Sequence, residues 1–308
     1  MRTTLTLATG VVLALALTAC GGGSDPLATT SAGAGSGSAA GGAKVVVGSA
    51  DFPESKLLAE VYAGALRAKG VAVDTKLGIG SRETYIPALK DGSIDVIPEY
   101  TGALDRYLNK DAKASDPAGI LAELRAGLPR QLEVLAPAKA EDKDAVVMTR
   151  ARASELGVKS ITDLAGKSQD LTIGGPAEWQ SRSYGIPGIT QTYGLTFKGF
   201  RKLDAGGPLA VQGLKNGQVD LANIFTTDPA IQVNDFVVLE DPKNFFPAQQ
   251  VVPLAVTGRL DATGKGALDA VSAKLDTAAL TTMLKQVTVD HQKPAEVAAD
   301  WLKASSLG

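Results

Sequence analysis

Apolar and polar positions alternate along the chain in blocks that change period, and those blocks predict the elements. Residues 43–49, "AKVVVGS", form a short continuous apolar run, as in a strand buried on both faces. Residues 51–70, "DFPESKLLAEVYAGALRAKG", switch to helical spacing. Pro53 suits its first turn, Leu58, Val61, Tyr62, Ala65 and Leu66 share a face, and Gly70 suits its exit. "VAVDTKL" (71–77) reads as a strand, 81–90 as a helix and "IDVIP" (94–98) as a strand. This β-α-β-α-β order predicts a mainly parallel sheet with helices on both faces.

The pattern then restarts. "DAVVMT" (144–149) is a strand, "SITDLAG" (160–166) a short helix, and "LTIGGP" (171–176) a strand meeting a helix near Trp179. "FKGFRKL" (197–203), the helix "PLAVQGLKNG" (208–217) and "VDLANIF" (219–225) follow. "VVPLAV" (251–256) leads into C-terminal helices that include "PAEVAADWLKAS", where Trp301 and Val297 share a core face. The expected architecture is α/β with two lobes.

Each lobe carries a copy of one phrase: "LKDGSIDVIPEYTG" (89–102) and "LKNGQVDLANIFTT" (214–227). The portion from Leu to Asp reads as a helix exit followed by a strand entry, a signal that α/β units share. The ends differ from that ordinary signal. Tyr100-Thr101 and Phe225-Thr226 lie just past their strands, where open α/β sheets bind ligands. Two lobes facing each other would make these ends opposite walls of one cleft.

Composition narrows the function. The 308 residues are 44% hydrophobic and 21% charged, with a formal net charge of −2, a profile that excludes a basic nucleic-acid binder. One Cys (Cys20) and one His (His291) leave no intrachain disulfide, no Cys-based zinc cluster and no multi-His metal site. Glu99, Asp95 and Asp228 could serve as acids, but no nucleophile or acid–base motif accompanies them, and no cofactor or enzymatic activity is expected. The chain begins with Arg2 and an apolar stretch to Leu17 that is short for a membrane span, and fits an export signal over 1–19. Leu17-Thr18-Ala19-Cys20 resembles a bacterial lipobox, which implies lipidation of Cys20. Residues 20–43, Gly/Ser/Ala-rich, would then tether the folded part to the outer face of the cytoplasmic membrane.

"SADFPES", "GSIDVIPEYTG", "PAEWQSRSYGIPG", "IFTTDP" and "NFFPAQQVVP" occur in this order. Together they make residues 44–307 resemble the substrate-binding proteins of osmoprotectant ABC importers, the glycine betaine/choline-binding (ProX-type) group. The resemblance implies a type II periplasmic-binding-protein fold that closes on a small solute by hinge motion. It would deliver that solute to an ABC permease and ATPase, and work as a monomer. Lobe one would comprise 44–143 plus 250–308 and lobe two 144–249, with hinge crossings near 140–144 and 246–251. The Phe245-Phe246-Pro247 run would pack at that second crossing.

The family holds a quaternary ammonium in an aromatic box and a carboxylate with basic or hydroxyl groups. Tyr100 matches the box Tyr, Arg182 the Arg after the Pro-Glu-aromatic phrase, and Trp179 an aromatic position beside it. Phe52, Thr101, Phe225 and Thr226 complete the candidate set, and Tyr184 is undecided between cleft and surface. The departures are Ser49-Ala50 ahead of Phe52, Ala103 past the Tyr-Thr pair, Asp144 near an aromatic slot, and Gln249-Gln250 in place of a Tyr pair. Two ligand classes stay open. Asp144 could face a cationic osmolyte in a reduced cage of Tyr100, Trp179 and Phe225. Alternatively, Asp144, Arg182, Gln249 and Gln250 could bind the hydroxyls of a neutral ring-shaped solute.

Overall fold

The computed structural model describes residues 44–308, so the expected export signal, Cys20 and the tether lie outside the described residues. No helix among the described residues is long and apolar enough to cross a membrane.

Among the described residues, ten strands form two five-stranded sheets. The first sheet contains β1 (Val45–Gly48), β2 (Val73–Lys76), β3 (Val96–Tyr100), β4 (Leu132–Val134) and β10 (Val251–Val256), in the order β2-β1-β3-β10-β4. The second contains β5 (Asp144–Thr149), β6 (Thr172–Gly175), β7 (Gly199–Lys202), β8 (Leu221–Phe225) and β9 (Phe236–Val238), in the order β7-β6-β8-β5-β9. The two orders are the same, 2-1-3-5-4, when the crossing strand of each sheet, β10 or β5, is counted last, which makes β3 and β8 the third strands. Each also contains one strand reached by crossing from the other sheet, β10 in the first and β5 in the second.

The expectation of mainly parallel sheets needs correction at those two strands. β10 runs antiparallel to β3 and β4, and β5 runs antiparallel to β8 and β9. The reason is the route of the chain. A strand that enters from the opposite lobe arrives at the carboxyl edge and must run back through the sheet. Val251 therefore pairs with Tyr100, and Asp144 with Phe225.

Local chemistry places the other elements. Helix Pro53–Ala68 starts on Pro53 and buries Leu57, Leu58, Val61, Tyr62 and Leu66 beneath the first sheet and the C-terminal helix Pro294–Ala304. Each such side chain contributes about 1.5–3 kcal/mol relative to remaining exposed. Val297 is buried on that C-terminal helix, and Trp301 packs against the same core. Helices Arg82–Lys90 and Pro208–Lys215 both end ahead of a glycine with positive φ, Gly92 at 77° and Gly217 at 63°. The left-handed conformation there turns each chain into its strand without the Cβ clash another residue would suffer. The helix expected near Trp179 is a single 3-10 turn, Ala177–Gln180.

Candidate functional site: a cleft between two third strands

The repeated phrase does most of its work in building the cleft. Asp95, just before β3, donates its backbone N–H to Val46 O and accepts the Val46 N–H on its carboxylate, both at 2.8 Å. Asp220, just before β8, does the same with Thr172, at 2.8 and 2.9 Å. An arginine three residues past the end of each reversed strand completes the clamp. Arg259 Nε donates to Asp95 at 2.6 Å and Arg152 Nε to Asp220 at 3.1 Å. Asp95, one of the possible acids, and its counterpart Asp220 are thus scaffold in this arrangement.

The threonines are matched as well. Thr101 N–H donates to Gln250 O while its hydroxyl accepts the Gln250 N–H at 3.1 Å. Thr226 N–H donates to Lys143 O while its hydroxyl accepts the Lys143 N–H at 3.0 Å. Gln250 and Lys143 immediately precede the reversed strands, so each threonine seams a crossing segment to the third strand of its sheet. Their expected ligand contacts therefore find a different employment: neither Thr101 nor Thr226 lines the cavity. Gln250 also stands outside it, donating its side-chain amide to Ala138 O. Gln249 is buried behind the wall, accepting the Ala103 N–H at 2.9 Å and donating to Asp144 at 3.3 Å.

Between the lobes lies a cavity of about 280 Å³. Six of the expected residues line it: Phe52, Tyr100, Asp144, Trp179, Arg182 and Phe225. The Phe52 ring sits between the two strand-end aromatics, with centroids 6.1 Å from Tyr100 and 5.2 Å from Phe225. Trp179, almost wholly buried, turns one face to Phe246 in a parallel stack at 6.3 Å, so Phe246 fixes its plane. The departures Ala50 and Ala103 open space at the same wall.

The charged lining is unequal. Asp51, Asp142, Asp144, Glu178 and Asp204 face the cavity together with only two cations among the lining residues, Arg82 and Arg182. Both cations already have partners. Arg82 makes a two-pronged contact with the fully buried Glu99, at 2.8 Å for each prong, and Tyr85 donates its hydroxyl to the same carboxylate. Arg182 reaches across the cleft to Glu83, at 2.8 and 3.2 Å. Arg82 also donates to the Tyr184 hydroxyl of the other lobe at 3.2 Å, which places Tyr184 on the cleft side. Asp144 has only amide partners, Asn223 at 3.0 Å and Gln249. Burial pushes its carboxyl above the usual range, against the pull of the Asn223 hydrogen bond and the surrounding arginines.

Sequence reasoning missed Arg82, Tyr85, Asn223 and Asp142. Asn223 lies inside the repeated phrase, two residues before Phe225, so strand alternation from the aromatic put it within reach. Arg82 and Tyr85 occupy one face of a helix whose ends alone were read. No local signal marks Asp142.

A family model described as the substrate-binding domain of ABC-type glycine betaine transport systems matches residues 43–304. A glycine-betaine-binding protein of Pseudomonas aeruginosa is 28% identical over 275 residues, covering 85% of this chain and 88% of that protein. The ergothioneine transport permease/ergothioneine binding protein of Helicobacter pylori is 23% identical over 269 residues, 85% of this chain but 48% of that longer protein. Among solved structures, a glycine betaine/carnitine/choline ABC transporter protein superposes with a TM-score of 0.68 at 22% identity, over 86% of this chain and 99% of the other. A choline-binding protein in complex with choline superposes with a TM-score of 0.62 at 16% identity, over 85% and 89%, which supports the two-lobed fold. The chain belongs to the family of substrate-binding domains of ABC-type glycine betaine transport systems, binding components rather than enzymes.

Proposed function

We propose that the protein captures a small quaternary ammonium osmoprotectant between its lobes and presents it to an ABC permease and ATPase. The observation that carries this reading is the pairing of three converging rings, Phe52, Tyr100 and Phe225, with an acidic excess around the same cavity. A cation over a ring face gains about 0.5–2 kcal/mol, more where water is excluded. The carboxylates supply the long-range attraction and the rings the short-range fit. The name of the P. aeruginosa relative supports glycine betaine as the first solute to try. Export and lipidation at Cys20 would hold the receptor on the extracytoplasmic face of the membrane, beside its permease. Cys20→Ala should release it from the membrane fraction.

A second reading, a neutral hydroxylated ring-shaped solute, is favoured by the Asp144–Asn223–Gln249 group, which offers hydrogen bonds that a trimethylammonium group cannot use. Calorimetric titration with glycine betaine, choline, carnitine and inositol separates the two. Heat with any of the first three supports the quaternary ammonium reading. Heat with inositol alone supports the second, and silence from all four overturns both.

A further inference from the structure

At the base of the aromatic wall lie two linked carboxyl groups, Glu54 behind the cavity lining and Asp142 within it, whose link the capture scheme does not use. Glu54, in the first turn of helix Pro53–Ala68, is 2% exposed, and Asp142, in the first crossing segment, is also 2% exposed. Glu54 accepts the Tyr100 hydroxyl at 2.7 Å on one oxygen and the Thr227 hydroxyl at 2.5 Å on the other. Asp142 uses one oxygen, Oδ1, to accept both the Thr227 N–H at 3.0 Å and the Thr226 hydroxyl at 3.2 Å. Thr227 bridges the two carboxyl groups, with its hydroxyl on Glu54 and its backbone N–H on Asp142. The other charged groups facing them are acidic: Asp228 toward Glu54 and Asp144 toward Asp142. Tyr100 is the remaining titratable partner.

Two carboxyl groups joined through one threonine and almost wholly buried, with no cation paired to either among the described residues, favour sharing a proton over both staying ionised. Every donor already in place suits an ionised Glu54, whereas Asp142 receives its hydrogen bonds on Oδ1 alone, which leaves Oδ2 to carry a proton. We propose that Asp142 holds one proton and donates it to Glu54, making the pair a positioning element that fixes Tyr100 on the cavity wall and ties both lobes to the crossing segment. Phe52 precedes Glu54 by two residues, so the same link sets two of the three rings. This inference rests on the solute-capture reading for its functional consequence. Burial raises both carboxyls, in the same direction as the geometry requires.

The sign follows. A raised acid keeps its proton at low pH and loses it as pH rises, so the link and the capture it supports weaken in alkali. With one proton involved, affinity falls by up to about tenfold per pH unit above the pair's titration. Asp142→Asn copies the protonated form, since its amide N–H can donate to Glu54 while its carbonyl accepts from Thr227.

The test is calorimetric titration of the full chain with choline and glycine betaine from about pH 6 to about pH 9. Affinity of the unaltered protein should fall with pH, while that of Asp142→Asn should stay level and exceed it at the alkaline end. Equal slopes for both proteins would overturn the proposal. The melting temperature without solute provides an independent reading. It should decline with pH more steeply in the unaltered protein than in Asp142→Asn, or in Glu54→Gln if the first variant does not fold. Parallel melting profiles would overturn the shared proton even if neither solute binds, an outcome that by itself counts against the capture reading.

Discussion

The segments 89–102 and 214–227 build the same corner twice, and the places where they diverge show what each lobe contributes. Both use a glycine turn, a clamping aspartate, a strand-end aromatic and a seaming threonine. The divergence lies in the residues around the aromatics. In lobe one, Glu99 precedes Tyr100 and organises Arg82 and Tyr85 into a buried network. In lobe two the corresponding residue is Ile224, fully buried in an apolar cluster. The reversed strands diverge in the opposite sense. Val251 opposes Tyr100, whereas Asp144 opposes Phe225. Lobe one therefore supplies an ordered ionic wall, and lobe two a lone buried carboxyl group beside an aromatic. The scaffold is duplicated while the chemistry is divided.

The clamps offer the strongest way to break the comparison. The Asp95 side chain is 1% exposed and that of Asp220 is 26% exposed. Asp95→Ala strands a backbone N–H and the Arg259 charge, and should cost about 3 kcal/mol in denaturant unfolding. Asp220→Ala removes the same bonds from a wetter site and should cost about 1 kcal/mol. Equal losses would show that burial does not distinguish the two corners.

The threonine seams should follow the same rule on a smaller scale. Thr101→Val removes an acceptor from a fully buried site and should cost about 1.5 kcal/mol. Thr226→Val, at an exposed position, should cost about half as much. The denaturation midpoints of the two variants give that ratio directly.

The smallest effect belongs to the ion pair across the cleft. Burial pushes the Glu83 carboxyl up, but hydrogen bonds from Arg182 and Ser81 outweigh it and hold the group at about 2. A depressed acid contributes above its unfolded value and loses that contribution as pH falls, here between about pH 4.5 and about pH 2. The Glu83 side chain is 45% exposed, so salt should screen the pair. Glu83→Gln should leave the neutral-pH melting temperature within about 2 °C and reduce its salt dependence. A larger shift would mean the pair holds the lobes together rather than decorating their rim.

Much of this was legible in the sequence, for reasons that lie in local chemistry. The strand-end aromatics, the glycine exits and the clamping aspartates recur within fourteen-residue phrases, so one copy interprets the other. The reversed direction of β10 and β5 was not legible, because each pairs with a strand distant in sequence and its own residues carry no mark of direction. The threonines follow the aromatics, so the sequence pattern alone points them at the ligand. Only the position of the crossing segment reveals that their hydroxyls accept from Gln250 and Lys143. The resemblance alone predicts Gln249 and Gln250 at the cavity, yet one lies behind the wall and the other at the crossing. Arg82 was missed because its partner Glu99 lies on a different element, so no spacing within its own helix exposes the pair.

The central claim is that the two copies present Tyr100 and Phe225 to one solute. Titrating Tyr100→Ala, Phe225→Ala and the double variant with the solute that binds the unaltered protein most tightly tests it directly. Each single variant should weaken binding by about tenfold, as expected for loss of one desolvated cation–ring contact, and the double variant should weaken it further. Unchanged affinity in either single variant would contradict the account, since that ring would then stand outside the binding site.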